Sequence, residues 1–106
     1  MATGYYIAII VYKSSSDSTT YTPMFEECIT LIKATDEADA RSKSEHLARS
    51  RETTFQNQQG DQIKWGLHKI IDVNPMLKDE ISEVTELYAR HFSDIDAYNT
   101  FETLST

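Results

Sequence analysis

Gln62-Ile63-Lys64-Trp65-Gly66-Leu67-His68-Lys69-Ile70-Ile71-Asp72-Val73 alternates large apolar with polar side chains. On an extended chain Ile63, Trp65, Leu67, Ile71 and Val73 share one side, interrupted only by Lys69. Gln62, Lys64, Gly66, His68 and Asp72 share the other. A strand dry on one side and wet on the other belongs to an antiparallel sheet with one solvated face. Pro75 ends it. Upstream, Asn57-Gln58-Gln59-Gly60-Asp61 supplies turn chemistry and joins it to a short strand, Thr53 to Gln56.

Moving outward, Tyr5 to Tyr12 is aromatic and β-branched on both alternating sides, as a central strand requires. Lys13 to Thr22 is rich in Ser and Thr and reads as a flexible, solvated connection. Pro23 leads into a second strand, about Met24 to Lys33. On it Phe25, Glu27, Ile29 and Leu31 share one face, and Cys28, Thr30 and Ile32 the other. Residues 35–51 predict a helix capped by Thr35 or Asp36, acidic in its first turn and basic in its last. Its buried stripe would be Ala40, Ser44, Leu47 and Ala48. Met76 to Glu83 reads as an irregular connection, and Val84 to Phe92 as a further strand. Ser93 is the expected N-cap of an amphipathic tail helix, with Asp96 in the capping-box position and Phe92 against Ala97. Ala97, Phe101 and Leu104 cluster on that helix, with Tyr98 beside them. The expected fold is one α+β domain over residues 1–106. It has a single antiparallel-rich sheet of about five strands, in the order strand, strand, helix, three strands, helix. One helix packs on one face, and a short C-terminal helix occupies residues 93–106.

The net charge is −7, and residues 79–106 carry seven acids and one base. This balance argues against nucleic-acid binding, which needs a basic stripe, and against a polybasic membrane anchor. The longest apolar run, Tyr5 to Tyr12, is too short to cross a bilayer as a helix. One cysteine, Cys28, excludes an internal disulfide. With no signal-peptide pattern at the start, a cytoplasmic protein is expected. His46, His68 and His91 lie on separate elements without metal-ligand spacing, and the widely spaced glycines form no phosphate loop, so no metal or cofactor is expected. Cys28 reads as a small core thiol.

Two surfaces emerge. Glu86, Tyr88 and Arg90 share a strand face and, with Glu27 and Trp65, make a candidate polar pocket. Its structural counterpart is a Glu27–Arg90 ion pair beside a packed Trp, with Glu86 also tied into the sheet. Asp79, Glu80, Glu83, Asp94, Asp96 and Glu102 form a candidate acidic surface for a basic protein partner.

Phe25-Glu26-Glu27-Cys28-Ile29-Thr30-Leu31-Ile32-Lys33-Ala34 resembles the second-strand signature of a family catalogued as domain of unknown function 4288. The alanine-bearing helix follows, with Ala40 and Ala48, and Asn57 and Gly60 precede Trp65 as in that family. Thr85-Glu86-Leu87-Tyr88-Ala89-Arg90-His91-Phe92 is similar to its closing strand, departing at Leu87 and Ala89. The resemblance spans about residues 5–92 and implies a small bacterial or phage protein with no assigned catalytic residue. The expected function is a non-enzymatic protein-interaction module, inhibitor- or immunity-like. The alternative is a small-ligand or enzymatic site around Glu27, Trp65, Tyr88 and Arg90. A homodimer is also expected, the tail helix covering its own sheet or docking on a neighbour.

Overall fold

The two apolar stretches become the two central strands. The computed structural model describes residues 3–78 and 80–101. Within them the chain forms β1 (Gly4–Ser16), β2 (Phe25–Ala34), α1 (Glu37–Ser50), β3 (Thr53–Gln56), β4 (Gln62–Pro75) and α2 (Ile95–Phe101). The four strands make one sheet in the order β2-β1-β4-β3, antiparallel at every step. The α+β class and the antiparallel sheet are as expected. The expected count of about five strands is not, because Val84 to Phe92 adds no strand.

One face of the sheet carries α1. Tyr6, Ala8, Ile10 and Tyr12 of β1 point to it, with Cys28, Ile32 and Ala34 of β2. Ala40, Ser44 and Ala48 of α1 are buried against these, and Leu47 packs beside them. The small side chains let the helix axis come close to the sheet. Ser44 keeps its hydroxyl satisfied by donating to the Ala40 carbonyl at 2.7 Å. Asp36 caps the helix by accepting from the Asp39 N–H at 2.8 Å.

Two bulges in β4 correct its alternation. Ile9 pairs with Asp72 and Ile10 with Ile70, passing over Ile71. Val11 pairs with Lys69 and Tyr12 with Leu67, passing over His68. Each extra residue flips the side-chain parity. Ile70 therefore replaces Ile71 on the helix side, and Lys69, the interruption in the sequence pattern, turns away. At the second bulge the Leu67 N–H donates to the Glu52 carboxylate at 2.9 Å. A Cβ on Gly66 would stand 3.2 Å from that same carboxylate, so glycine clears its path. Gly60 has φ +85°, the left-handed geometry that its turn requires.

The Ser-rich connection is more ordered than its composition suggests. β1 runs on to Ser16, and Ser14 is fully buried. Its hydroxyl accepts from the Met24 N–H at 2.8 Å and from the Tyr21 hydroxyl at 2.6 Å. One buried oxygen thus folds the 17–24 loop back on the sheet. Ser14→Ala strands both donors and should cost about 1–3 kcal/mol in a urea melt. An unchanged midpoint would show the loop to be held elsewhere.

After β4 the chain turns back over the second face of the sheet. The Met76 N–H donates to the Tyr5 carbonyl at 2.8 Å. The Tyr88 hydroxyl donates to Asp72 Oδ2 at 2.5 Å, and Asn74 Nδ2 donates to the Tyr88 oxygen at 3.3 Å. Residues 84–92 cross the sheet as an arm instead of extending it at an edge. The alternation that resembled a strand serves this hook. Tyr88 is half-buried, while Val84, at 89% exposure, has no core to enter. α2 is capped by Asp94, which accepts from the Ala97 N–H at 3.1 Å, so the cap lies one residue beyond the expected Ser93. Phe92 stacks on Tyr98 at 4.8 Å. Leu104 lies outside the described residues. Among the described residues α2 has no buried side chain and packs against no other element. The radius of gyration, 17.0 Å, accordingly exceeds the roughly 13 Å of a compact chain this long. Among the described residues no helix is long and apolar enough to cross a membrane.

Candidate functional site

The sheet divides the expected pocket in two. Glu27 stands on the second face opposite Val11, where the arm brings Tyr88 and Arg90 toward it. Trp65 lies across from Ser14 and packs against the core on the helix side. Trp65 therefore cannot share a site with Glu27. Glu86 is exposed and makes no side-chain hydrogen bond or ion pair among the described residues, so its expected tie into the sheet is absent. The reason is common to both corrections. Residues 84–92 are an arm over one face and not a strand in the ladder, so their alternation does not register with β2 or β4.

What forms on the second face is an open groove of about 910 Å³. Glu27 lines its sheet side. Tyr88, Arg90, Phe92, Tyr98 and Phe101 line its arm side. Glu27 and Arg90 face the same space, yet no ion pair joins them. Glu27 is exposed, so its charge needs no partner. Beneath the arm, Ile7 and Ile9 are buried. Beside them, on the edge strand β2, Phe25, Ile29 and Leu31 stay exposed, Ile29 at 65%. Phe25 meets His68 edge to face at 5.4 Å, with the Lys13 ammonium 5.8 Å from its ring. The groove's lining combines aromatic Tyr88, Phe92, Tyr98 and Phe101 with charged Glu27, Arg90 and Asp94. Glu80, Glu83, Asp94 and Asp96 are all exposed. Asp79 and Glu102 lie outside the described residues.

The arm is held electrostatically at one point. The Tyr88 hydroxyl holds the Asp72 carboxyl below the usual carboxylate range, with Asn74 contributing. Burial, and then Asp72, pushes the Tyr88 hydroxyl up. Among the described residues, the hydrogen bonds between residues 84–92 and the sheet are those of the Tyr88 hydroxyl.

A second concavity of about 350 Å³ opens on the helix side, beyond the C-terminal end of α1. Tyr12, Glu26, Arg51, Thr53 and Trp65 line it. Composition and spacing give no sign of it, since its five residues come from four strands and the C-cap of α1. The signal in the sequence is Tyr12, the last aromatic residue of the apolar run Tyr5 to Tyr12, and only the register reveals its neighbours. Cys28, free and half-buried, lies nearby and donates to Glu26 Oε1 at 3.4 Å. Burial pushes its thiol up, which makes it a poor nucleophile at neutral pH. Among the described residues no group of three or more His, Cys, Asp or Glu side chains is placed to hold a metal.

Residues 5–89 match the family described as Domain of unknown function (DUF4288). The chain belongs to this family. No curated protein and no solved structure matches it. The DUF4288 match takes in all four strands, α1 and Tyr88, and so both the Tyr12 concavity and the hook that ties down the arm. Arg90, Phe92, Tyr98 and Phe101 follow the matched residues.

Proposed function

We propose that the chain is a non-enzymatic protein-interaction module that works through the second face of its sheet, in the manner of an inhibitor or immunity protein. The observation that carries this reading is the open groove lined by Phe92, Tyr98 and Phe101, with Phe25, Ile29 and Leu31 exposed on the same face of the sheet. Apolar surface gathered in this way, with a polar rim, is the usual signature of a contact site. The exposed acids of the arm and α2, Glu80, Glu83, Asp94 and Asp96, suit a basic partner and speed its approach at low salt. The test is capture at low salt with the native protein alongside Ile29→Lys and Phe101→Ala. Each substitution should weaken capture by about tenfold or more, as central apolar contacts do. Raising the salt should slow association. A complex indifferent to salt and to both substitutions would refute the reading.

A second copy of the chain is the other occupant favoured by a particular observation. β2 is an edge strand of ten residues with no proline inside it. Pairing it antiparallel with its own copy about Thr30 sets Glu27 opposite Lys33 and Ile29 opposite Leu31, all on the second face. Lys43 already covers one end by donating to the Lys33 carbonyl at 2.8 Å. Sedimentation distinguishes the two occupants. A dimer that Ile29→Lys separates favours self-pairing, and a monomer leaves the groove to a basic partner.

A further inference from the structure

The concavity beyond the end of α1 is assembled from every strand of the sheet. Tyr12 of β1 has Glu26 of β2 directly opposite on one side and Leu67 of β4 on the other. Trp65 of β4 is diagonal to Tyr12, opposite Ser14, and Thr53 of β3 stands opposite Trp65. Antiparallel partners point to the same face, so Glu26, Tyr12, Trp65 and Thr53 form a row across the sheet. Arg51 is the C-cap residue of α1 and closes the row from above. Because the helix stops at Ser50, nothing on α1 covers this row.

Much of the hydrogen-bonding capacity of the row is unspent, Glu26 accepting from Cys28 Sγ at 3.4 Å. Tyr12 is 4% exposed, and its hydroxyl is fully buried without a partner in the described structure. Buried hydroxyls are seldom left in this state. Among the described residues Arg51, Thr53 and Trp65 make no side-chain hydrogen bond, and the ion pairs are Arg41–Glu37, Lys43–Asp39 and Arg49–Glu52. Arg51 and Glu26 thus line one space as opposite charges that do not pair with each other. Burial raises the Tyr12 hydroxyl, so it stays protonated and able to donate.

These groups define the chemistry of what would fit. A simple anion would suit Arg51 and meet repulsion from Glu26. A simple cation would have the converse difficulty. A molecule carrying both charges on neighbouring atoms satisfies the two together, while its apolar body lies on the Trp65 ring. About 350 Å³ is room for a molecule of amino-acid size, at the lower end of known ligand sites.

We propose that this pocket binds a small zwitterion of the α-amino-acid class. Its carboxylate lies on Arg51, its ammonium on Glu26, and its side chain runs along Trp65 and ends in an acceptor for the Tyr12 hydroxyl. The site lies on the opposite face from the interaction groove, so the two readings stand or fall separately.

Trp65 is the chain's one tryptophan, which makes its emission a reporter of this pocket alone. The experiment titrates the purified full chain with the proteinogenic amino acids other than tryptophan. Any that binds is then tested as its N-acetyl and carboxamide derivatives. At least one free amino acid should change Trp65 emission saturably, and both derivatives should lose that effect. Arg51→Gln and Glu26→Gln alter exposed side chains and leave the fold intact, and each should weaken binding by about tenfold or more. Tyr12→Phe should weaken it several-fold, with the circular dichroism unchanged. The proposal is overturned if no amino acid gives a saturable change. It is equally overturned if the N-acetyl derivative binds as well as the free form, or if Arg51→Gln has no effect.

Discussion

Ile10→Ala should lower the free energy of unfolding by about 3 kcal/mol. Ile10 is fully buried in the middle of β1, between Cys28 of β2 and Ile70 of β4. The small residues of α1 lie above the same face and cannot swell to fill the space left behind. Both the lost transfer energy and the cavity term therefore apply. A chain of this length has only about 5–15 kcal/mol in total, so the loss is a large share. It should lower the melting temperature by roughly 15 °C. Ile29→Ala is the matched control, since it removes the same atoms from an exposed position and should fall within about 0.5 kcal/mol of the native protein. Urea melts with an unchanged m-value check the pair. Equal losses at the two positions would mean that the buried face of the sheet has been assigned wrongly.

The contrast between Ile10 and Ile29 also shows how far the sequence carries. Strand and helix positions were legible because period and punctuation are local. Thr53–Gln56 matches its expected bounds, and of the expected stripe Ala40, Ser44, Leu47 and Ala48 all but the half-buried Leu47 are fully buried. The face each side chain takes is a matter of pairing and was only partly legible. β4 reads as one alternating strand until the register with β1 reveals two residues passed over. Lys69 inside the apolar set was the visible trace of those bulges. The arm misled more thoroughly. Glu86, Tyr88 and Arg90 alternate as a strand would, but strandhood depends on a free ladder edge in reach, and the chain crosses a face instead. The candidate site suffered for the same reason. Glu27, Tyr88 and Arg90 do come together, whereas Trp65 belongs to the other face with Tyr12, Glu26 and Arg51. No spacing rule connects residues 12, 26, 51, 53 and 65, because their proximity is produced by the sheet order itself.

Tyr88→Ala should release the arm and cost about 2–3 kcal/mol, part from the hydroxyl's bond to a charged acceptor and part from the ring's own burial. Tyr88→Phe separates the two parts. It keeps the ring and removes only the bonds to Asp72 and Asn74, at about 1 kcal/mol once solvent screening at this half-exposed site is allowed for. The dependence on pH carries the sharper test. The folded state holds the Asp72 carboxyl low, so its contribution is complete above the unfolded value of about 3.9 and is lost as the pH falls through the folded one. Tyr88 is shifted the other way. Its contribution is complete below about 10 and is lost as the pH rises through the raised folded value. The tie should therefore hold across the window between, and loosen at both ends. Thermal melts across that range should show native stability exceeding that of Tyr88→Phe by a constant margin inside the window, with the two curves converging outside it. Trypsin at neutral pH gives an independent reading, since Arg90 lies two residues beyond the hook and should be cut faster in Tyr88→Ala. Parallel melting curves at all pH values, with equal cleavage at Arg90, would show that the arm is held by something other than Tyr88.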